Sequence, residues 1–279
     1  MIESYTTIVS AYFKLEVSKA THEKYLEWMN NMLSIDNPMV IFCDEESVST
    51  IAGFREKYVN KTKIIPTSFT DFYSFRYIEE FEKHLEKDTE VYVGHNVNLY
   101  MIWNEKSHFL KRAIELNFFN SEYFLWVDIG CFRRKEVMHN FNIWPNPKKM
   151  KIIDKSRVLL LTVQPFEESE ILCTIKENLP DFQLTYRIGG TIFGGGKDVL
   201  LKWHNCYYEM LEYFIQIGRF IGKDQNIMSS LFLTERGICV SSCQAKCCQP
   251  VSSCSNHSDH RCIRIHIPRR SEAGVDSLI

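Results

Sequence analysis

The chain has 279 residues, of which 45% are hydrophobic and 24% charged, and its formal net charge is −2. This composition is typical of a globular protein with a large core and excludes a disordered chain. Because 33 basic residues are balanced by 35 acidic ones, the chain carries no global positive field, and we expect no nucleic-acid partner.

The apolar runs are all shorter than the ~20 residues that span a bilayer. The first residues carry Glu3 where a signal peptide carries positive charge, and their apolar run is short and interrupted by Thr and Ser. We therefore expect no transmembrane segment and a cytoplasmic location.

Strand-like and helix-like patterns alternate from Thr6 to about Gly237, which predicts α/β architecture. The β-branched run "TTIVSAYF" predicts the first strand, and apolar residues at helical spacing after Thr21 predict a helix that Thr21 caps. Further strands are predicted at 38–44, 62–66, 123–128 and 157–166, a mainly helical stretch at 71–116, and a flexible connection at 142–151.

The composition changes after Gly237. Six of the ten cysteines crowd into 239–262, with His257 and His260 beside them. No CxxC pair recurs at zinc-finger spacing, so an irregular terminus and a metal-binding tail both remain open. The sequence predicts an α/β domain at 1–237 and an irregular Cys/Ser-rich tail at 238–279.

Two aspartates, Asp44 and Asp128, end predicted strands. Ligands of open parallel sheets bind at the carboxyl ends of the strands, so we expect both carboxylates at the same edge of one mostly parallel sheet. A carboxylate there can bind a divalent cation, and Gly130 lets a backbone or phosphate approach closely. The alternative is that Asp128 only caps a helix that starts near Cys131.

A glycine-rich segment, "GGTIFGGG", precedes a predicted helix that begins near Lys197. Glycines at both ends of a short apolar run free the backbone close to a ligand, although two tight turns around one strand explain them equally well. The spacing matches neither GxGxxG after the first strand nor a Walker loop. Asp224 follows at a helix N-terminus, where it is either functional or an N-cap.

Together these motifs resemble the GT-A glycosyltransferases and, more closely, the HtrL/YibB-like family. The similarity covers about 5–237 and includes "TTIVSAYF", "VIFCDE", "WNEKSHFLKRAIEL", "WVDIG" and "GGTIFGGG". It implies a GT-A-like, Rossmann-type sheet, mostly parallel and flanked by helices. The implied activity is transfer of a sugar from a nucleotide-sugar donor, such as a UDP-sugar, to a glycan, glycoconjugate or other hydroxyl acceptor in glycan biosynthesis.

The same resemblance implies how the donor is bound. Asp128 stands at the first Asp of the DxD metal motif, with Gly130 in place of the second, and a divalent Mn²⁺ or Mg²⁺ would neutralise the diphosphate leaving group. Tyr12 and Asp44 would flank the base and ribose, and Lys106 would reach the phosphates.

For the acceptor, the resemblance implies Asp224 as general base in an inverting enzyme, with a different role in a retaining one. Two other classes of function remain open: a metal-dependent phosphoester hydrolase that uses Asp128 and Asp44, and a non-catalytic nucleotide or glycan binder. His108 and His204 are either metal ligands or structural histidines. The glycines that would contact the acceptor are Gly189, Gly190, Gly194 and Gly195.

Overall fold

The computed structural model describes residues 6–18, 20–141 and 144–242, which form a seven-stranded sheet with the strand order β3-β2-β1-β4-β6-β5-β7. The strands are β1 (Thr6–Tyr12), β2 (Met39–Cys43), β3 (Thr62–Pro66), β4 (Tyr123–Val127), β5 (Val158–Thr162), β6 (Ile188–Gly196) and β7 (Cys239–Ser242). The helices are α1 (His22–Leu33), α2 (Val48–Phe54), α3 (Ile78–Leu85), α4 (Val97–Leu116), α5 (Pro147–Ile152), α6 (Glu168–Ile171), α7 (Lys197–Gln216) and α8 (Asp224–Thr234).

The sheet is mostly parallel. Strands β3, β2, β1 and β4 pair in parallel, as do β5 and β7, and β6 alone runs antiparallel to its neighbours β4 and β5. This confirms the predicted α/β class, and the five strands predicted from the sequence are all present.

Each face of the sheet is covered by helices. Alternate residues of a strand enter opposite cores: Val9 and Trp126 pack with residues of α4, α7 and α8, whereas Ile8 and Leu125 pack with residues of α1, α2 and α5. Strands buried on both faces read as continuous apolar runs. This explains why "YFLWV" in β4 shows no polar alternation.

Local signals set several element boundaries. The Thr21 side chain accepts a hydrogen bond from the backbone N–H of Lys24 at 3.4 Å and so caps α1, as predicted. The predicted flexible connection at 142–151 is partly wrong, because Asn146 accepts from the N–H groups of Lys148 and Lys149 and starts the helix α5. Residues 142 and 143 of that segment lie outside the described residues.

The glycine-rich segment is neither a ligand loop nor a pair of turns around a strand, because all five glycines belong to β6 itself. The strand passes too close to its neighbours for side chains. A Cβ on Gly194 would lie 2.3 Å from the carbonyl oxygen of Phe124, and one on Gly196 would lie 2.5 Å from that of Lys155. Close packing accounts for these two glycines. The helix predicted from Lys197 is confirmed as α7.

The sheet continues past the domain boundary predicted at Gly237. Strand β7 begins at Cys239, pairs in parallel with β5, and buries the Cys239 side chain. The predicted division into 1–237 and 238–279 stays a prediction, because the rest of the cysteine-rich tail, from 243 onward, lies outside the described residues. Within the described ranges, no helix has the length and apolar character to cross a membrane.

Candidate functional site

A cavity of about 530 Å³ opens at the carboxyl edge of the parallel strands. Its walls come from the ends of β1 and β4, the start of β6, and the N-terminal parts of α1, α4 and α8. Asp44 follows β2 and Asp128 follows β4, and because β2, β1 and β4 are parallel, both carboxylates lie at this edge as predicted. The volume is within the range of small-molecule sites.

Lys106 lies at the centre of the site. It projects from α4 with only 4% of its surface exposed, although most lysines lie at the protein surface. Its Nζ lies 3.1 Å from Oδ1 of Asp128 and 2.9 Å from Oδ2 of Asp224, and it donates a hydrogen bond to the carbonyl oxygen of Gly190 at 3.1 Å. The two aspartates that the sequence singled out are thus joined by one ammonium group.

Neither aspartate acts as a helix cap. Asp224 is the first residue of α8, whereas the N-cap position is Lys223, and Asp224 is 4% exposed. Asp128 accepts a hydrogen bond from Nε1 of Trp126 at 2.7 Å on the same oxygen that faces Lys106. The backbone N–H of Cys131 bonds to the carbonyl of Asp128 in a turn, and no described helix starts there.

Burial and neighbouring charges shift the pKa values of Lys106 and Asp128. Burial lowers the pKa of Lys106, but Asp128 and Asp224 outweigh it and raise that pKa above its ordinary value. Burial raises the pKa of Asp128, an effect that Lys106 opposes and Asp224 reinforces. The two neighbouring carboxylates thus favour the charged form of the Lys106 ammonium.

Tyr12 lines the cavity and Asp44 does not. The Tyr12 hydroxyl lies 2.8 Å from Nδ1 of His22, and burial, followed by the charge of Asp44, raises its pKa to about 12. The carboxylate of Asp44 accepts hydrogen bonds from the backbone N–H groups of Lys14 and Ser47, each at 2.8 Å. Asp44 therefore shapes the turn beside the cavity, and its predicted contact with the donor stays a prediction.

The predicted glycines divide into two groups. Gly130 and Gly190 line the cavity, and a Cβ on Gly190 would lie 2.2 Å from Oδ2 of Asp224. Gly194 and Gly195 pair with Leu125 and Phe124 of β4, further along the sheet. These two and Gly189 lie outside the cavity, so their predicted contact with an acceptor stays an expectation that this geometry does not support.

A second polar cluster, which was not predicted from the sequence, adjoins the cavity. Asp88, Glu90 and His95 each offer one ligand atom, all within 4.8 Å of one another, and Asp88 and His95 are buried, so the cluster is a candidate metal site. In the structure these side chains contact one another and a lysine: His95 Nδ1 lies 2.7 Å from Oδ2 of Asp88, and Lys223 forms an ion pair with Glu90. The segment "DTEVYVGH" carried the signal, two acids two residues apart followed by a histidine.

Basic side chains at the cavity wall were also missed. Lys14 and Arg133 both line the cavity and are exposed, and the Arg133 guanidinium lies 4.5 Å from the ring centre of Trp28. The arginine follows Asp128 closely in "DIGCFRR", and that spacing is the signal that brings it to the strand end. These cations offer charge to an anionic ligand.

His108 and His204 lie outside the cavity, on α4 and α7, where His108 Nδ1 is 3.1 Å from His204 Nε2. Of the two interpretations, the structural one fits this placement, because each ring also contacts the ring of Tyr73.

We expect this histidine pair to make the fold sensitive to acid. Burial, followed by His204, lowers the pKa of His108 to about 3, whereas an unfolded histidine titrates near 6.5. The neutral His108 ring therefore contributes fully to the free energy of unfolding above about pH 6.5, and this contribution is lost as the pH falls toward 3. Between pH 7 and pH 5, wild type should lose roughly 1 to 2 kcal/mol more unfolding free energy than His108→Gln. Denaturant titrations would contradict this if the two proteins lost stability in parallel.

Comparison with known proteins places the chain in a family. The family model described as "Bacterial protein of unknown function (HtrL_YibB)" matches residues 4–234. No curated protein matches the chain in sequence. Two solved structures are similar in part: apo mouse xyloside xylosyltransferase 1, with 10% identity over 84% of each chain and a TM-score of 0.43, and 4-diphosphocytidyl-2C-methyl-D-erythritol synthase from Anaerococcus prevotii, with 12% identity over 86% of this chain and 88% of that one and a TM-score of 0.41.

At these scores the two structures carry no conclusion about activity, and the description of the family names none. The family model, in contrast, spans most of the chain, from the start of β1 to the end of α8. The chain therefore belongs to the HtrL_YibB family.

Proposed function

We propose that the chain is a glycosyltransferase that moves a sugar from a nucleotide-sugar donor to a hydroxyl of a glycan or glycoconjugate. The observation that carries this proposal is the convergence of Asp128 and Asp224 on one cavity at the carboxyl edge of a mostly parallel sheet. Such an edge is where α/β proteins bind nucleotides, and two carboxylates there serve binding and proton transfer.

The donor occupies the side of the cavity formed by β1 and β4. A second cavity of about 210 Å³ shares Tyr12, Lys14 and His22 with the first, and we assign the two adjacent cavities to the nucleoside and the sugar diphosphate. The exposed cations Lys14 and Arg133 line the cavity and provide positive charge for the diphosphate. Asp128 accepts hydrogen bonds from donor hydroxyls.

The transfer step assigned to Asp224 is that of a general base. Lys106 contacts its Oδ2, so the other oxygen, Oδ1, accepts the proton of the acceptor hydroxyl. The hydroxyl oxygen then forms a bond to the anomeric carbon, the bond from that carbon to the diphosphate oxygen breaks, and the nucleoside diphosphate leaves with the electron pair. This is the inverting course. A retaining course would give Asp224 a different role.

The expected Mn²⁺ or Mg²⁺ does not fit between Asp128 and Asp224 as the residues stand. The Lys106 ammonium contacts Oδ1 of Asp128 and Oδ2 of Asp224, so a divalent ion bound between these two carboxylates would have to displace the lysine side chain. The Asp88, Glu90 and His95 cluster offers ligand atoms at the rim. No step of the proposed transfer passes through either position.

Of the two other classes of function, the metal-dependent phosphoester hydrolase lacks a second carboxylate at the cavity. It requires Asp44 and Asp128 to act together, and Asp44 lies outside the cavity with both oxygens engaged by backbone N–H groups. The non-catalytic binder shares the donor side of the site and differs only in lacking the step at Asp224.

Donor binding tests the proposal directly. Nucleotide sugars and nucleoside diphosphates should raise the melting temperature of wild type. Asp128→Ala should weaken donor affinity by roughly 10- to 100-fold, the loss of a hydrogen bond to a charged group, and should lower slow donor hydrolysis with it. Asp128→Asn keeps the partner of Trp126 and guards against a folding defect. Asp198→Ala, an exposed aspartate in the first turn of α7, is the matched control, and equal donor affinity in Asp128→Ala and Asp198→Ala would contradict the proposal.

A further inference from the structure

Three oxygen atoms from three separate elements converge on the Nζ of Lys106. They are Oδ1 of Asp128 at the end of β4, Oδ2 of Asp224 at the start of α8, and the carbonyl oxygen of Gly190 in β6, at 3.1, 2.9 and 3.1 Å. Two carboxylates and a carbonyl are the oxygen ligands that hard divalent cations take. The arrangement is therefore a cation site, and an ammonium group fills it.

The Lys106 ammonium matches these oxygens in charge and in number. A protonated lysine has three N–H donors and no acceptor, which matches the three oxygens in number. Lys106 and Asp224 are each 4% exposed, and Gly190 approaches Asp224 so closely that any Cβ would overlap its Oδ2. The glycine at this position lets the carbonyl reach Nζ. The three oxygens therefore form a site for an ammonium group that the chain itself supplies.

We propose that Lys106 is the resident cation of this site, so that the wild-type chain binds its donor without a divalent ion at Asp128, and removal of the lysine creates a divalent-metal site. The part concerning the donor rests on the proposed function, whereas the part concerning the metal rests on the geometry alone. Metal–oxygen distances are about 2.0–2.6 Å, so the three oxygens, now 2.9 to 3.1 Å from Nζ, must close by roughly 0.3 to 1.1 Å around the ion.

The experiment compares Mn²⁺ binding by wild type and by Lys106→Ala, using calorimetry and the electron paramagnetic resonance signal of free Mn²⁺. Wild type provides the background, including any ion held by Asp88, Glu90 and His95. Lys106→Ala should bind one additional Mn²⁺, and saturating Mn²⁺ should raise its melting temperature by about 5 °C or more above the effect on wild type. The double variant Lys106→Ala/Asp224→Asn should lose the additional ion.

Further variants and measurements test the inference if Lys106→Ala fails to fold. Lys106→Met preserves most of the side-chain volume and should show the same gain at lower affinity. In wild type, chelation with EDTA should leave donor affinity within twofold, and Asp128→Asn should leave the Mn²⁺ isotherm unchanged. Either of two results would overturn the inference. One is donor binding by wild type that requires Mn²⁺, and the other is a Mn²⁺ ion bound by wild type that Asp128→Asn removes.

Failure of the proposed function gives a different result. If no nucleotide sugar or nucleoside diphosphate binds with or without Mn²⁺, the glycosyltransferase assignment is wrong, yet the additional Mn²⁺ in Lys106→Ala is still expected. A folded Lys106→Ala chain with no additional Mn²⁺ would overturn the cation site itself, whatever the activity.

Discussion

Asp224→Asn should lower sugar transfer by roughly two to four orders of magnitude while donor affinity changes little. Asparagine keeps the size of the side chain and an oxygen that accepts a hydrogen bond from Lys106, but it cannot accept the proton of the acceptor hydroxyl. Because Asp224 makes no cap on α8, the substitution removes no helix-capping bond. Single-turnover transfer and calorimetric donor binding measure the two quantities separately.

The matched control for this variant is Asp198→Asn. Asp198 lies in the first turn of α7 and is exposed, so it shares the helix-terminal charge of Asp224 but not its place in the cavity. Transfer by Asp198→Asn should stay within twofold of wild type. Near-normal transfer by Asp224→Asn would remove the base assignment and favour the non-catalytic nucleotide or glycan binder.

The sheet and one half of the site follow from local sequence. A run of five apolar residues that ends in Asp128 is a buried strand with a carboxylate at its mouth, and parallel pairing then brings that strand end beside the end of β1. Asp128 was predictable because its position depends only on strand direction and length. Asp224 was placed by resemblance, since its neighbours alone fit a helix cap equally well.

The burial of Lys106 could not be read from its own helix. Four consecutive polar residues of α4, 104–107, are buried, so the apolar periodicity that marks an inward face is absent there. The burial of Glu105 is balanced by hydrogen bonds that its carboxylate accepts from the backbone N–H groups of Tyr73 and Ser74, at 2.9 and 2.8 Å. The burial of Lys106 is balanced by Asp128 and Asp224, which come from distant parts of the chain.

The full extent of β6 was not predicted, for a similar reason. Glycine is depleted in strands and marks turns in most sequences, so the five glycines favoured a ligand loop or tight turns at both ends of a short strand. Here the need for glycine comes from close contacts with residues far away in sequence, among them the carbonyl oxygen of Phe124 beside Gly194. Such a constraint exists only once β4 and β6 are paired.

Gly190→Ala should abolish most transfer although Gly190 offers the substrate no side chain. The new Cβ would lie 2.2 Å from Oδ2 of Asp224, a distance that real structures do not tolerate, so the carboxylate must move away from Lys106 and from the acceptor. A displacement of about 1 Å at a catalytic group costs on the order of 100-fold in rate. We expect transfer to fall by at least that factor, with donor affinity within a few fold of wild type.

The neighbouring glycine separates displacement of the carboxylate from a general defect of β6. A Cβ on Gly189 would lie 2.8 Å from Cγ2 of Val163 and meets side-chain atoms only, so Gly189→Ala should lower the melting temperature but keep most of the transfer rate. If Gly190→Ala acts through Asp224, the two substitutions are not additive: Gly190→Ala/Asp224→Asn should be no slower than Asp224→Asn alone. A double variant slower by the product of the two single effects would show that Gly190 matters for another reason, and equal transfer by Gly190→Ala and wild type would mean that the Asp224 carboxylate need not stay where Lys106 holds it.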